Sequence, residues 1–143
     1  YGRGPKDKKE SKAFSTELKS KSLKGGYDLI YDPIGDCYAE PAFRSIGWKG
    51  RYLVVGFAAG EIPKLPINLA LLKGASIVGV FWGSFTGREM NINHENIQDI
   101  NLMLSRKEIK PLISKTYPMQ NAIDAISMIG NRGVIGKVVL LNN

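Results

Sequence analysis

Short apolar runs alternate along this sequence with segments whose apolar residues recur at the spacing of a helix face. Three runs are rich in apolar, β-branched and aromatic residues, at 27–31 (YDLIY), 51–57 (RYLVVGF) and 75–81 (ASIVGVF). Runs of this kind are typical of strands covered on both faces, as in a parallel sheet. A further run, GKVVLL at 136–141, predicts a last strand, and residues 109–115 are predicted to be extended.

The segments between these runs predict helices, because their apolar residues recur every three to four positions. Ser11 or Ser15 can cap the first helix, and Asn93 can cap the third. We expect the last helix to turn an apolar row toward the core, formed by Ala122, Ile123, Ile126 and Ile129. The predicted helices are at 13–23, 40–48, 94–107 and 120–129, with a helical turn at 68–72 and loops at 1–12 and 83–87.

Strands that alternate with helices predict the α/β fold class, with a parallel sheet built from βαβ crossovers. The length of 143 residues suits one domain or part of one, and 43% hydrophobic residues can bury a core. No apolar run approaches the roughly 20 residues of a membrane span. The charged start lacks the apolar stretch of a secretory signal, and the single Cys37 forms no internal disulfide. We therefore expect an intracellular, cytoplasmic protein without a membrane partner.

The net charge of +7 is concentrated at the beginning of the chain. Residues 1–25 contain eight Lys and Arg against three acidic residues, whereas the remainder contains twelve against ten. A solvated surface explains this excess, and the alternative is a phosphate-binding patch for nucleic acid or for a 2′-phosphate. Tyr1 and Phe14 are the only aromatic residues in the segment, so the sequence speaks against a nucleic-acid partner.

Side chains with catalytic potential are scarce. His94 is the only histidine and is predicted to cap a helix or lie at the surface, and Cys37 has no histidine nearby in sequence. One His and one Cys do not form a zinc-ligand cluster, so no metal site is predicted. Asp32 and Asp36 flank Pro33 and Gly35, as in turns, so we interpret them as turn residues rather than a general acid/base pair.

Three segments taken in order carry a family resemblance. YDPIGD, VVGFAAGEIPKLPINLALLKGASIVGVFWG and TYPMQNAIDAI followed by GKVVLL resemble the zinc-free quinone oxidoreductase branch of the medium-chain dehydrogenase/reductases, to which zeta-crystallin belongs. The resemblance covers residues 13–141. It implies a partial Rossmann-type parallel sheet, the carboxyl-terminal half of a cofactor domain, followed by a helix and strand that return to a catalytic domain.

The resemblance also implies a division of the chain and the departures of this sequence from the family. Residues 1–25 would be a basic loop and short helix, 26–108 a partial dinucleotide-binding domain, and 109–143 a segment associated with the catalytic domain. The Gly-rich phosphate turn and the catalytic domain of the family precede the matching part, and the sequence contains no G-x-G-x-x-G. We therefore expect the isolated chain to be inactive.

The resemblance implies contacts with NADPH or NADH, without zinc. Residues after the first strand would lie near the adenosine half of the cofactor, residues after the second near the nicotinamide ring, and residues after the third near its carboxamide. A simple turn, close packing of glycine and a buried dimer seam are the respective structural alternatives. Lys137 would approach the active-site cleft or point to solvent. The implied cofactor residues are Ile34, Gly35, Val55, Gly56, Phe57, Ala58, Phe81, Trp82, Gly83 and Lys137, and no catalytic residue is implied.

The implied reaction is hydride transfer from the nicotinamide to a small quinone or enone. The alternatives are a non-catalytic module for dimerisation or cofactor sensing, and a basic RNA-binding relative. The order of family strands would leave the strand at 27–31 as an exposed edge. We therefore expect the chain to pair through a sheet edge or to dock on another polypeptide, with the strand at 75–81 as the expected homodimer edge.

Overall fold

The computed structural model describes residues 4–131 and 133–142. Tyr1 of the basic segment lies outside the described residues. The chain forms two compact units, residues 1–88 and 89–143. Among the described helices, none has the length and hydropathy that a membrane crossing needs.

The first unit is a three-stranded parallel sheet with helices between its strands, which confirms the α/β fold class. The strands are β1 (Tyr27–Asp32), β2 (Ile46–Val54) and β3 (Ser76–Gly79), in the order β1-β2-β3. The helices are α1 (Lys8–Ser20), α2 (Asp36–Arg44), α3 (Asn68–Lys73) and α4 (Trp82–Arg88). Within the described residues β1 is an outer strand, as expected, and it leaves Leu29 and Tyr31 exposed.

The core of the first unit lies between α2 and β2. Ala39 and Phe43 are four positions apart, so they lie on the same face of α2, and both are fully buried. The Phe43 ring packs edge-to-face against Tyr52 of β2, with 5.3 Å between ring centroids. Ile46 and Leu69 complete the buried cluster.

Helix α1 begins at Lys8, earlier than the predicted start at residue 13. The predicted loop is therefore wrong at residues 8–12, whereas residues 4–7 lie outside helices and strands, as predicted. Asp7 is the N-cap, and its carboxylate accepts a hydrogen bond of 2.8 Å from the Glu10 backbone N–H. The Glu10 side chain in turn accepts from the Lys6 backbone N–H at 2.8 Å. This reciprocal arrangement resembles a capping box and stabilises the first turn, so neither Ser11 nor Ser15 caps the helix.

The boundary between α2 and β2 also differs from the prediction of a helix over 40–48. The helix ends at Arg44, and β2 begins at Ile46 and ends at Val54 rather than at residue 57. Gly50 lies within β2, where a Cβ atom would be 2.8 Å from the Tyr27 carbonyl oxygen. The glycine therefore allows close approach of the β1 backbone.

The second unit pairs two parallel strands and carries two helices. Its elements are α5 (Met90–Ser105), β4 (Ile113–Pro118), a 3-10 turn (Met119–Asn121), α6 (Ala122–Gly130) and β5 (Lys137–Leu141). The extended segment at 109–115 thus forms a strand shifted toward the carboxyl end. The predicted last strand is confirmed.

Three further predictions are wrong in detail. The predicted loop at 83–87 is helical in α4, and α5 begins at Met90, so Asn93 is not its cap. In α6 the buried residue is Ala125, whereas Ile123, Ile126 and Ile129 are more than half exposed. The buried side of α6 therefore differs from the apolar row that the sequence predicts.

We predict that Phe43→Ala destabilises the first unit by about 3–5 kcal/mol, because it removes a fully buried ring and leaves a cavity against Tyr52. Urea denaturation followed by circular dichroism measures the change. Phe81→Ala is the matched control, since that ring is 79% exposed and its loss should change the free energy of unfolding by less than about 0.5 kcal/mol. Equal midpoints for the two variants would contradict this core.

Candidate cofactor-binding site

The carboxyl ends of the three strands of the first unit lie level with one another. Asp32 of β1 pairs with Val54 of β2, and Val54 pairs with Gly79 of β3. In open parallel sheets, ligands bind just outside these ends. The loops that follow contain Ile34 and Gly35, then Val55, Gly56, Phe57 and Ala58, and then Phe81, Trp82 and Gly83.

The Asp32 carboxylate connects the first two of these loops. Its Oδ1 atom accepts hydrogen bonds from the backbone N–H groups of Ile34 and Gly35, at 2.8 and 2.9 Å. Its Oδ2 atom accepts a short hydrogen bond from the Tyr52 hydroxyl. The carboxylate therefore fixes the loop after β1 and anchors it to β2, and Asp32 is a turn residue, as its sequence context indicates.

Backbone hydrogen bonds hold the two loops side by side. The Asp32 carbonyl oxygen accepts from the N–H groups of Val55 and Gly56, at 3.0 and 3.3 Å. Further along, the Ala58 N–H donates to the Pro33 carbonyl oxygen at 3.1 Å. The structure thus brings together six of the residues implicated by the resemblance, Ile34, Gly35, Val55, Gly56, Phe57 and Ala58.

Gly35 is required by its backbone conformation and by its neighbour. Its φ of 70° lies in the region that favours glycine, and a Cβ atom there would be 2.8 Å from Cδ1 of Phe57. At Gly56 the nearest atom to a Cβ would be the Pro33 carbonyl oxygen, at 3.4 Å. Protein contacts therefore require glycine at position 35, whereas position 56 has room for a methyl group.

Tyr52 donates from a buried position. Its side chain is 1% exposed, and burial raises the pKa of the phenol, with the Asp32 hydrogen bond as a further cause. The hydroxyl consequently remains a proton donor to the carboxylate. Tyr52 is the residue of this candidate site that the sequence analysis did not single out. The local sequence gives no signal for this hydrogen bond, because the partner Asp32 lies 20 positions away.

The third loop joins the other two only through the sheet. The Val80 N–H donates to the Val54 carbonyl oxygen at 2.9 Å, beyond the last paired residue of β3. Phe81 and Trp82 then project with 79% and 67% exposure, and Trp82 begins α4. The aromatic pair is thus at the surface of the chain.

Lys137 belongs to the second unit, where it begins β5. Its backbone N–H donates to the Leu112 carbonyl oxygen at 2.8 Å, and its side chain is exposed. It shares no strand or loop with the other residues implicated by the resemblance.

The two remaining candidates have little catalytic character. Burial and the neighbouring Asp36 carboxylate raise the pKa of the Cys37 thiol, which disfavours a reactive thiolate. His94 lies exposed within α5, where its ring is 2.9 Å from the Gln98 amide. In the part of the chain that the structure describes, no three His, Cys, Asp or Glu side chains could hold a metal ion.

The basic segment lines one side of a cleft of about 1060 Å³ in the first unit. Lys19 of α1, Arg44 of α2 and Lys73 of α3 each lie in the last turn of their helix, where cations offset the negative end of the helix dipole. Arg44 also pairs with Glu40 at 2.6 Å. Of these three residues only Lys19 belongs to the segment at 1–25, and the choice between a solvated surface and a phosphate-binding patch stays a prediction.

A sequence profile described as zinc-binding dehydrogenase matches residues 7–140 of the chain. The chain belongs to this family. The quinone oxidoreductase-like protein 2 of Bos taurus is 31% identical over 116 residues, 81% of this chain and 33% of that protein. Its homologue in Nematostella vectensis is also 31% identical, over 80% of this chain and 32% of that protein. The chain thus spans about a third of the length of these curated relatives.

Solved structures agree with the sequence relationships. The quinone oxidoreductase from Thermus thermophilus, solved also in complex with NADPH, is 25% identical and superposes with a TM-score of 0.72, over 87% of this chain and 39% of that chain. A mycobacterial protein complexed with NADPH has a TM-score of 0.75 at 20% identity, over 97% of this chain and 41% of that chain. The fold is therefore that of the cofactor-binding domain of medium-chain oxidoreductases. The resemblance to their quinone oxidoreductase branch is confirmed.

We predict that Tyr52 makes stability decrease at alkaline pH. The unfolded chain releases the phenolic proton near pH 10, whereas the raised pKa retains it in the folded chain. The contribution of Tyr52 to the free energy of unfolding is complete below pH 10 and is lost as pH rises. For one retained proton the free energy of unfolding falls by up to about 1.4 kcal/mol per pH unit. Urea titrations between pH 8 and 11 should show a shallower decrease for Tyr52→Phe than for the wild type. Tyr31→Phe, at an exposed position of β1, should follow the wild type; identical slopes for all three proteins would contradict the prediction.

Proposed function

We propose that the loops after β1, β2 and β3 form part of the cofactor site of an NAD(P)H-dependent quinone oxidoreductase. This part of the site comes from the carboxyl-terminal half of the cofactor domain. The observation that carries the proposal is the pair of adjoining loops at level strand ends, held by Asp32. Two similar proteins have been solved in complex with NADPH, which supports a nicotinamide cofactor. Whether NADPH or NADH is used depends on residues outside these loops.

In the proposed reaction the reduced nicotinamide supplies a hydride, with its two electrons, to a quinone or enone, and the acceptor takes up a proton from solvent. The residues of this chain bind and orient the cofactor. Ile34 and Gly35 face the adenosine half through their backbone, and residues 55–58 lie along the nicotinamide. Phe81, Trp82 and Gly83 contact the carboxamide end. The role of Lys137, in the second unit, stays a prediction of the family resemblance. None of these positions requires a side-chain acid or base.

A non-catalytic module for dimerisation or cofactor sensing is the alternative, and any turnover of quinones by this chain would exclude it. We expect the 143 residues alone to show no turnover with quinones, and cofactor binding to be the property that this chain retains.

A titration with NADPH and NADH tests the proposal directly. We expect saturable binding in the micromolar range, seen as cofactor fluorescence and as quenching of Trp48 and Trp82. Gly56→Ala should raise Kd by about tenfold, because its methyl group occupies space that the ring approaches while the protein itself has room for it. Gly130→Ala, at an open position in α6, should bind like the wild type. Absence of binding up to millimolar cofactor would overturn the proposal.

We further propose a homodimer through β3. All four residues of Ser76–Gly79 are exposed, including the apolar side chains of Ile77 and Val78, so this outer strand has a surface suited to self-association. We expect Ile77→Lys to shift the wild-type dimer toward monomer in light scattering at micromolar concentration, because like charges would meet across a two-fold axis. Ile62→Lys, also exposed but outside the sheet, should remain dimeric. A monomeric wild-type chain would contradict this interface.

A further inference from the structure

We propose that Asp32 is the positioning residue of this cofactor site, and that Tyr52 assists it by holding the carboxylate in place. The role we assign to the pair is to set the distance between the loop at 33–36 and the loop at 55–58. The inference rests on the proposed function, because those loops are assigned to opposite halves of the cofactor.

The two loops share Asp32 as their common anchor. The carboxylate of Asp32 accepts hydrogen bonds from the backbone N–H groups of Ile34 and Gly35. The backbone carbonyl oxygen of Asp32 accepts hydrogen bonds from the N–H groups of Val55 and Gly56. Four backbone N–H groups, two from each loop, therefore converge on one residue. A displacement of Asp32 would move both loops, whereas a displacement elsewhere in β1 would not act on them directly.

Tyr52 restrains the position of the Asp32 carboxylate. Its ring is buried against Phe43, so its hydroxyl has little freedom to move, and it donates to Oδ2 of Asp32. Oδ1 is thereby left to accept the two loop N–H groups. Charge-assisted hydrogen bonds of this type are about twice as strong as neutral ones, which suits an anchor at the margin of a binding site.

An asparagine at position 32 separates geometry from charge. Its single oxygen can accept from Ile34 and Gly35, but its NH₂ group then faces the Tyr52 hydroxyl, whose proton loses its acceptor in a buried place. Asp32→Asn should thus preserve the local turn and weaken its attachment to β2. Tyr52→Phe breaks the same attachment from the other side.

The first test compares the whole cofactor with its halves, using the full chain at a temperature where each variant is folded. For Asp32→Asn and Tyr52→Phe we expect the Kd of NADPH to rise by about tenfold. Adenosine 2′,5′-bisphosphate and reduced nicotinamide mononucleotide would each contact only one of the two loops. Their Kd values should therefore change by less than about threefold. The spacing of two linked sites affects only a ligand that spans them. Asp28→Asn and Tyr31→Phe, at exposed positions of β1, should leave all three values unchanged.

A general loss of folded protein would raise all three dissociation constants alike, and that outcome would overturn the positioning role. Unchanged NADPH binding in both variants would overturn it as well, while leaving the proposed function intact. A wild-type chain that binds none of the three ligands would overturn the proposed function and the cofactor role of Asp32 together.

The second test requires no ligand. Amide hydrogen exchange should accelerate by about tenfold at Ile34, Gly35, Val55 and Gly56 in Tyr52→Phe, although the Tyr52 side chain contacts none of these amides in the described hydrogen bonds. Exchange in α5 should remain as in the wild type. Acceleration confined to one loop would show that the loops are not coupled through Asp32, and would overturn the inference.

Discussion

The buried carboxylate of Asp32 is the group on which the carboxyl end of the sheet in the first unit depends. A carboxylate removed from water is costly unless its oxygens find donors, and here both do: two backbone N–H groups and one phenol. Those donors belong to the loop that follows β1 and to the neighbouring strand β2. The hydrogen bonds to Asp32 therefore fix the conformation of the loop after β1. The level ends of β1 and β2 follow from the same contacts.

The small width of both sheets explains much of the exposed apolar surface. With three strands in one unit and two in the other, each sheet covers only part of its helices, and outer strands retain unpaired edges within the described residues. Leu29 and Tyr31 on β1 and Ile77 on β3 illustrate this in the first unit, and the isoleucines of α6 illustrate it in the second. Apolar surface of this extent is typical of chains that associate with another polypeptide.

The sequence was informative where a single rule dominated and less so where two competed. Continuous apolar runs identified β1, β2 and β3 because no other element suits them, and the resemblance located both adjoining loops. The start of α1 was mispredicted because an Asp-x-x-Glu cap outweighs nearby serines. The face of α6 was mispredicted because periodicity identifies an apolar row without revealing whether enough protein is present to cover it. The role of Tyr52 depends on a partner 20 positions away, which local patterns do not reveal.

The buried cluster between α2 and β2 also bears on how the chain folds. All five of its residues lie between Ala39 and Leu69, so the contacts that exclude water join positions close together in sequence. Closing short segments costs less conformational entropy than closing long ones, and proteins rich in such contacts fold quickly. The core of the first unit can accordingly form early in folding, as soon as the segment between Ala39 and Leu69 is free to collapse.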